Sequence, residues 1–372
     1  MLRDRVNILY VVLDMDLGGL QRIVHLLIEG LDRERFRPYL CCLDRGGMFF
    51  EALTNEGFEG CILKRRPGKF DVRLLMNLYR LIREQQIDVI HSHNACALYA
   101  GLAGFLARVP VIHTDHGRLV PDRSSAMWED WLASKFLNAF IGVSEELTDY
   151  LCSRVKIASG KLSTIINGVD AERFVPKTRE QKFALRSQWG LSQDDVIIGT
   201  VCRFDPIKNL QFLVDCMPEI LTQVPRVKLI MVGEGPSRAD LERRIIDLGL
   251  TDRIQLWPRR QDVEHVMPMF DLYACSSLSE GTSMTILEAM ACGLPIIASA
   301  VGGNCTLIDG SGGILFPLND KEAFISHVKE ILTDRHRLAA MGRWSRERVE
   351  NIFPLRQTIQ KYQSLYLEQA GM

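Results

Sequence analysis

The sequence lacks the long apolar runs of a membrane protein. A membrane-spanning helix needs roughly 18 or more consecutive apolar residues, and no stretch of this chain provides them. The first apolar run, VNILYVVL, is followed at once by Asp14 and Asp16, where a signal peptide would have a small-residue cleavage site. We therefore expect a cytoplasmic protein, or one attached at most peripherally to the inner face of a membrane.

The sequence also lacks an excess of either charge. Its 45 Lys and Arg residues nearly balance 46 Asp and Glu residues, for a net charge of −1. A nucleic-acid-binding protein would carry a basic patch, so we expect no nucleic-acid partner. With 47% hydrophobic and 24% charged residues, the composition is that of an ordered globular chain. Its 372 residues are enough for two domains.

The spacings of common metal sites are missing as well. None of the ten cysteines belongs to a C-x-x-C pair, so we expect small buried hydrophobic side chains in a reducing compartment. Histidines cluster at the ends of two predicted strands, as His91 and His93 in HSH and as His113 and His116 in HTDH. These spacings match no standard zinc site, so we interpret the histidines as a polar active-site wall and expect no metal or other cofactor.

The sequence does contain a repeated alternation of strand and helix patterns. Short β-branched runs such as VNILYVVL and DVIIGTVC are separated by segments with apolar residues at helical spacing, which predicts parallel sheets covered by helices. The charged segment 172–195 has no strand pattern and separates two such series. We predict two Rossmann-like, doubly wound α/β domains at 1–175 and 190–350, followed by an amphipathic helix at 353–370.

Two loops at predicted carboxyl ends of strands, where open parallel sheets bind ligands, have residues suited to phosphate. Gly18 and Gly19 open a helix, where close backbone approach and free N–H groups suit a phosphate; an ordinary turn is the alternative. Arg203 and Lys208 lie between a strand and a helix. Together they could neutralise a diphosphate, although a solvated charge pair explains the pattern equally well.

The segment 277–303, SLSEGTSMTILEAMACGLPIIASAVGG, is the most informative part of the sequence. Gly281 interrupts any helix at Glu280, which places that acid in a loop. Thr282 or Ser283 can cap the helix that follows. The N-terminus of this helix would then face a phosphate.

A second acid, Glu288, lies inside the same predicted helix. One carboxylate in the loop and another on the helix could hold two hydroxyl-bearing parts of one ligand. The alternative is that Glu280 belongs to a turn and Glu288 forms an ion pair on the surface.

Taken together, these motifs resemble the family-4 retaining glycosyltransferases of GT-B fold. The matching segments occur in family order and span most of the chain, and the E-x7-E segment with its EAMACGLP continuation is the most specific of them. They are GGLQ at Gly18, HTDHG at His113, VSEEL at Val143, INGVD at Ile166, RFDPIKN at Arg203, VGEGPSRADLE at Val232 and EGTSMTILEAMACGLPIIASAVGG at Glu280.

The resemblance implies two Rossmann-like domains facing across a cleft, with the helix at 353–370 packing back on the first domain. It also implies transfer of a sugar from a nucleotide-diphosphate sugar to an acceptor hydroxyl, with retained anomeric configuration, in polysaccharide or glycolipid biosynthesis. Two cations and a helix N-terminus would stabilise the leaving diphosphate in place of a metal.

The resemblance further assigns roles to individual residues. Gly19 would contact the donor phosphate through its backbone, and Arg203 and Lys208 would bind the diphosphate. Glu280 would bind hydroxyls of the transferred sugar, and His116 would lie beside that sugar near the acceptor. The other donor contacts implied are the amides of Gly281, Thr282, Ser283 and Met284 and, for the ribose, the side chain of Glu288.

Several alternatives stay open at this point. A nucleotide-sugar epimerase or a phosphorylase would share the fold, and so would an inactive GT-B subunit that binds a partner enzyme or a polysaccharide. Pro258 and Thr306 depart from the family pattern, at the loop near the nucleotide base and at a position where an acid is common. The sequence therefore leaves the base of the donor undetermined.

The acceptor, a carbohydrate or a lipid-linked molecule, is not identified by any motif. A basic run after a predicted strand is either solvated surface or a contact for anionic lipid head groups or a lipid-phosphate acceptor. The run consists of Lys64, Arg65, Arg66 and Lys69.

Overall fold

The chain folds into two compact units, each with its own parallel sheet and hydrophobic core. The computed structural model describes residues 5–66, 68, 70–118 and 122–372. Unit 1 contains the chain up to Asn167 together with Arg356–Met372, and unit 2 contains Gly168–Leu355. The predicted pair of Rossmann-like α/β domains is confirmed.

Within the described residues, the sheet of unit 1 has seven parallel strands. They are β1 (Val6–Val12), β2 (Phe36–Cys42), β3 (Glu59–Ile62), β4 (Val89–His93), β5 (Val111–Asp115), β6 (Ala139–Gly142) and β7 (Leu162–Thr164). Their order is β3-β2-β1-β4-β5-β6-β7. The central strands are buried, because helices and loops cover the sheet.

Two helices of unit 1 begin at a side-chain cap. The carboxylate of Asp71 accepts the N–H of Leu74 (3.1 Å), and the hydroxyl of Ser144 accepts the N–H of Leu147 (3.2 Å), so that two of the helices are capped by side chains. The helices are α1 (Gly19–Glu29), α2 (Met48–Asn55), α3 (Val72–Glu84), α4 (Ala97–Ala107), α5 (Ser124–Ala133), α6 (Glu145–Ser153) and, at the end of the chain, the C-terminal helix (Leu355–Ala370).

The C-terminal helix packs on the strands of unit 1. Tyr362 and Tyr366, one turn apart, are buried. The hydroxyl of Tyr366 forms hydrogen bonds with the hydroxyl of Tyr10 (2.9 Å) and with Nδ1 of His91 (2.7 Å), and the hydroxyl of Tyr362 forms one with Thr114 (3.1 Å). The two tyrosines therefore form a row of buried hydrogen bonds between this helix and the sheet, which we call the buried seam.

Unit 2 has six parallel strands in the part of the chain that the structure describes. They are β8 (Val196–Val201), β9 (Val227–Val232), β10 (Ile254–Trp257), β11 (Leu272–Cys275), β12 (Ile296–Ser299) and β13 (Gly313–Phe316). Their order is β10-β9-β8-β11-β12-β13. The strand order thus runs from β8 to β9 and β10 on one side and from β11 to β12 and β13 on the other. β8 and β11 are therefore neighbours at the position where the order reverses, which is where a doubly wound sheet binds its ligand.

The helices of unit 2 follow the strands in alternation. They are α7 (Arg179–Gln188), α8 (Leu210–Gln223), α9 (Arg238–Asp247), α10 (Val263–Val266), α11 (Met284–Ala291), α12 (Asn304–Leu307), α13 (Lys321–Thr333) and α14 (Arg335–Ile352). The segment predicted to lack strands holds α7, which opens with a capping box formed by Thr178 and Gln181.

Residues 168–175, placed with the first domain in the sequence-based division, group with unit 2 here. The cause is local hydrogen bonding. The N–H of Val169 donates to the carbonyl of Phe353 (3.0 Å). Nη1 of Arg346 donates to the carbonyls of Phe174 and Ala291 (2.6 Å each), which fastens this segment to α11 and α14.

The cysteines are less uniformly buried than the sequence analysis expected. Six of the ten are buried, but Cys152 and Cys305 are exposed, so the expectation is wrong for these two. Cys152 follows the buried Leu151 on α6 and lies about 100° further around the helix, outside its buried stripe. Among the described residues, no helix is long and apolar enough to cross a bilayer.

Candidate functional site

In unit 2, the loops that follow β8 and β11 are joined at the carboxyl ends of these two strands. The N–H of Leu278 donates to the carbonyl of Ile207 (2.8 Å), and the hydroxyl of Ser276 donates to the carbonyl of Lys208 (3.0 Å). Because the strands are neighbours in the sheet, residues some 70 positions apart in sequence are brought into one short-range network.

Lys208 and Glu280 form the centre of this network. Nζ of Lys208 lies 2.6 Å from Oε1 of Glu280, with the side chains only 25% and 9% exposed. The hydroxyl of Ser277 donates to the same carboxylate oxygen (2.6 Å). Burial opposes the charged ammonium, but the Glu280 carboxylate outweighs it and raises the pKa of Lys208. An ammonium has three N–H donors, so Lys208 can bind an anion while it holds Glu280.

Arg203 lies in the same loop but outside this pair. Its guanidinium is 2.5 Å from the carboxylate of Asp205 and its side chain is 70% exposed. Of the two cations predicted to bind a diphosphate, the structure therefore brings only Lys208 into contact with Glu280.

The helix predicted to follow Glu280 is α11, and its N-cap is Ser283. The hydroxyl of Ser283 accepts the N–H of Ile286 (3.4 Å). The buried residues Gly281, Thr282 and Met284 lie beside it at the helix start. The first turn of a helix leaves N–H groups without intrahelical acceptors and carries the positive end of the dipole, so these positions suit an anion.

The loop after β12 holds the backbone of Glu280, which the sequence analysis did not foresee. The N–H of Gly303 donates to the carbonyl of Glu280 (3.2 Å). Gly302 has φ +45°, and a Cβ there would collide with the same carbonyl oxygen. Any side chain at Gly302 would push the loop away; the glycine pair in AVGG was a signal for this close approach.

Glu288 lies inside α11 and is only 2% exposed. The alternative of an ion pair on the surface is therefore wrong. A carboxylate at this depth is costly unless polar groups surround it. It lies eight residues beyond Glu280, on the helix that follows the loop.

In unit 1, the glycine loop after β1 leads into α1 as expected. Gly18 is the N-cap of this helix, in an extended backbone conformation, and Gly19 is its first residue. A Cβ at Gly18 would collide with the amide of Gln21, which itself donates to the carboxylate of Asp14 (3.2 Å). Both glycines are exposed, so their N–H groups are accessible to a ligand.

Three of the four histidines in the sequence clusters, His91, His93 and His116, lie together at the ends of β4 and β5. His113 points to the other face of the sheet, where its Nδ1 is 2.9 Å from the hydroxyl of Ser92. Nε2 of His91 is 2.8 Å from the hydroxyl of Thr114, and Nδ1 of His93 is 2.9 Å from Nε2 of His116. Burial lowers the pKa of both His113 and His116 to about 3, so these rings are neutral at physiological pH. Among the described residues, no group of three or more His, Cys, Asp or Glu is placed to hold a metal ion.

An arginine with three carboxylates lies next to His116, and sequence reasoning missed it. Arg118 contacts Asp115 (2.6 Å), Asp122 (2.7 Å) and Asp130 (2.6 Å). Burial raises the pKa of Asp130 to about 6, against the opposing effect of Arg118. Arg118 follows the HTDHG motif directly and Asp115 lies within it, whereas Asp122 precedes α5 and Asp130 lies in α5, which only the fold brings close.

Models of two glycosyltransferase families match the chain. The model described as Glycosyltransferase Family 4 matches residues 17–173, and the model described as Glycosyl transferases group 1 matches residues 195–334. The two matches together cover most of the chain. The chain belongs to the family-4 glycosyltransferases of GT-B fold. The first match includes Gly19 and His116, and the second includes Lys208 and Glu280.

Curated relatives resemble this glycosyltransferase along nearly its whole length. It is 28% identical to the UDP-Gal:α-D-GlcNAc-diphosphoundecaprenol α-1,3-galactosyltransferase of Escherichia coli, over 98% of this chain and 97% of that protein. It is 25% identical to the N-acetyl-α-D-glucosaminyl L-malate synthase of Bacillus anthracis, over 93% of this chain and 89% of that protein. Both relatives are enzymes that form glycosides.

A solved structure shows the same fold. The crystal structure of Anabaena HepE in complex with UDP and glucose matches with a TM-score of 0.87, over 96% of this chain and 98% of that chain, at 20% sequence identity. At this identity the match establishes the GT-B fold of the glycosyltransferase alone.

Proposed function

We propose that this glycosyltransferase moves a sugar from a nucleotide-diphosphate sugar to an acceptor hydroxyl, with retention of anomeric configuration, in polysaccharide or glycolipid biosynthesis. The observation that carries this proposal is the contact between Lys208 and Glu280 (2.6 Å) beside the N-terminus of α11. A cation and a helix N-terminus suit a diphosphate. The carboxylate beside them suits the hydroxyls of the sugar attached to it.

The chemistry follows from where charge develops. The bond between the anomeric carbon and the phosphate oxygen breaks, and a bond to the acceptor oxygen forms on the same face of the sugar. The departing phosphate takes the proton of the acceptor hydroxyl. Lys208, the amides at the start of α11 and Arg203 stabilise the negative charge that grows on the leaving diphosphate, which lowers the barrier because the charge is larger in the transition state than in the bound substrate.

These donors also make a divalent cation dispensable in the proposal. A metal in other transferases neutralises the leaving diphosphate. Here an ammonium whose pKa is raised by Glu280, against the effect of burial, supplies a fixed positive charge at the same stage of the reaction. We therefore expect transfer to need no metal.

Uridine diphosphate sugars are the first donors to test. The name of the E. coli relative contains UDP-Gal, and the structure of Anabaena HepE is a complex with UDP and glucose. For unit 1 we propose the roles that the family resemblance implies: Gly19 offers its N–H to the donor phosphate, and His116 hydrogen-bonds the transferred sugar. The name of the E. coli relative also specifies a lipid-linked acceptor, which makes a diphospho-lipid glycan the first acceptor to test.

A lipid-linked acceptor would require contact with a membrane surface, and the basic run is the candidate region. Lys64 and Arg66 are exposed, and Phe70 and Val72 nearby are 44% and 61% exposed. Basic and apolar side chains together favour an anionic bilayer surface. Arg65 contributes less, because both its Nε and its Nη2 donate to the carboxylate of Asp44 (2.8 Å each).

Lys69, the fourth member of the basic run, lies outside the described residues. The proposed contact is tested by sedimentation with vesicles containing phosphatidylglycerol. Replacement of Lys64 and Arg66 by glutamine should reduce the bound fraction, whereas replacement of the exposed Arg226, in unit 2, should not. Equal binding of all three proteins would contradict the contact.

The activity itself is tested by incubating the purified protein with UDP-galactose, UDP-glucose, UDP-N-acetylglucosamine and GDP-mannose. Release of the nucleoside diphosphate from one donor, accelerated by a GlcNAc-diphospho-lipid acceptor, is the expected result. The anomeric proton of the product should show the coupling of an α-glycoside. Conversion of the donor to an epimeric sugar without acceptor would indicate an epimerase, and a β-glycoside would contradict retention.

A further inference from the structure

His93 is a buried residue of the histidine cluster to which the proposed function assigns no role. It is the last residue of β4 and only 1% exposed. Its ring is parallel to that of Tyr10, with centroids 6.2 Å apart, and tilted against that of His91 (4.1 Å). These contacts fix the plane of the imidazole, so that Nδ1 is held 2.9 Å from Nε2 of His116.

The next residue, Asn94, holds the main chain of His116. Its side-chain oxygen accepts the N–H of His116 (2.8 Å). Asn94 has φ +43°, a left-handed conformation that asparagine adopts more readily than most residues. Two consecutive residues at the end of β4 therefore hold His116 at two points, one on its ring and one on its backbone.

The protonation states of the His93 and His116 rings determine which ring donates this hydrogen bond. Burial lowers the pKa of His93 well below its usual value, with neighbouring histidines adding to the effect, and burial lowers the pKa of His116 to about 3. Both rings are therefore neutral near pH 7. A neutral imidazole has one donor and one acceptor nitrogen, so one ring must donate to the other.

The surroundings of His93 decide which ring donates. Its Nε2 is buried and has no hydrogen-bond partner among the described residues. A proton on that nitrogen would be a buried donor without an acceptor, which proteins tolerate less often than an acceptor without a donor. The proton is therefore on Nδ1 of His93, and Nε2 of His116 accepts it.

We propose that His93 is a positioning residue: it donates a hydrogen bond from Nδ1 to Nε2 of His116 and thereby makes His116 present an Nδ1–H donor to the sugar. This inference rests on the proposed function, because it takes His116 to contact the substrate. His116 then acts as an oriented hydrogen-bond donor. It does not act as a general base through Nε2, because that nitrogen is already occupied.

The hydrogen bond is tested directly by the tautomer of His116. In protein labelled with ¹⁵N at the histidine rings, long-range ¹H–¹⁵N spectra distinguish protonated from unprotonated ring nitrogens, and His116→Gln assigns the signals. We expect His116 in the wild-type protein to carry its proton on Nδ1. In His93→Phe, which keeps a ring against Tyr10, we expect the proton to shift toward Nε2.

The effect on transfer is tested by a pair of substitutions at His93. His93→Phe should lower kcat about tenfold or more, because His116 loses its orientation, with a smaller change in donor KM. His93→Asn should restore most of the activity, because its amide can donate from nearly the same place as Nδ1. The control is Ser92→Ala, which removes an equally buried hydrogen bond to Nδ1 of His113 (2.9 Å) and none to His116.

Two outcomes would overturn the inference. One is a wild-type His116 protonated on Nε2. The other is a folded His93→Phe variant with the tautomer and kcat of the wild type. The proposed function fails separately: if His116→Ala keeps wild-type turnover, His116 does not contact the substrate, and a role of His93 in transfer falls with it, while the tautomer still reports whether His93 donates.

Discussion

Nζ of Lys208 lies 2.6 Å from Oε1 of Glu280, and the two residues come from the ends of adjacent strands, β8 and β11. Each charged side chain of this pair stabilises the charge of the other. The carboxylate raises the pKa of Lys208 against the effect of burial, and the lysine neutralises a carboxylate that would otherwise repel a diphosphate. In the proposed reaction, binding of the leaving group and of the transferred sugar would therefore be coupled through this one contact.

We expect Glu280→Gln to separate binding from transfer. Glutamine keeps an oxygen that can accept from Lys208 and Ser277 but loses the charge, so a nucleoside diphosphate should bind as tightly as before or more tightly. Turnover should fall about 100-fold or more, because hydroxyls of the sugar lose a charged acceptor that strengthens in the transition state.

Calorimetric titration with the nucleoside diphosphate and steady-state kinetics measure the two effects. Glu219→Gln, an exposed acid on α8, is the matched control and should behave as wild type in both. Near wild-type turnover in Glu280→Gln would contradict the role assigned to this carboxylate.

We expect activity to survive removal of divalent cations. In an excess of EDTA, the rate should stay within about twofold of its value with Mg²⁺, because in the proposed mechanism Lys208 and the start of α11 stabilise the leaving diphosphate. The rate of donor consumption with and without EDTA is the measurement. Complete loss of activity in EDTA, restored by Mg²⁺, would show that these groups are insufficient.

The contrast between Ser283 and Gly302 shows how far local sequence signals reach. The helix cap at Ser283 follows from a hydroxyl residue before an apolar helix, and the structure confirms it within the one-residue choice that the pattern left. The close approach of Gly302 to the carbonyl of Glu280 joins two loops. No local sequence pattern indicates which distant main-chain segment a glycine approaches closely.

We expect Tyr366→Phe to destabilise unit 1. Loss of its hydroxyl leaves Tyr10 and Nδ1 of His91 with one hydrogen bond fewer each in a buried setting, at a cost of about 1–3 kcal/mol. Urea denaturation measures the free energy of unfolding. Ser364→Ala, on the same helix, is the control and should change this free energy by about 0.5 kcal/mol or less. An unchanged midpoint for Tyr366→Phe would mean that the buried seam contributes little.

We expect the protein to lose stability as pH falls below the ordinary pKa of histidine. Burial lowers the pKa of His113 to about 3, so the unfolded chain binds a proton near pH 6.5 that the folded chain does not bind until about pH 3. The stabilisation is present above pH 6.5 and decreases as pH falls toward 3. Between about pH 7.5 and about pH 5, the titration of His113 alone should lower the free energy of unfolding by about 2 kcal/mol.

The measurement is the free energy of unfolding of the wild type and of His113→Asn at the two pH values. The variant should lose less stability on acidification, because it lacks the titrating group. Equal losses in both proteins would show that His113 does not titrate differently in the folded and unfolded states.

The networks around His116 could be predicted only in part. The HSH and HTDH motifs and their place at strand ends indicated a polar wall. β4 and β5 bring His91, His93 and His116 together, whereas His113 lies beside Ser92 on the other face of the sheet. Which ring nitrogen of His93 contacts which ring nitrogen of His116 depends on the register of β4 against β5, which places His93 beside Thr114. The carboxylates around Arg118 depend on the path of the chain into α5, so neither contact could be derived from spacing.

The most direct test of the account is whether Lys208 binds the diphosphate. Calorimetric titrations with UDP, GDP and ADP are compared between the wild type and Lys208→Met, which keeps the length of the side chain and removes its charge. We expect one nucleoside diphosphate to bind the wild type and to bind Lys208→Met about 10- to 100-fold more weakly, because a charge-assisted hydrogen bond is lost. Binding of equal strength to both proteins, or binding of none of the three to the wild type, would contradict the account.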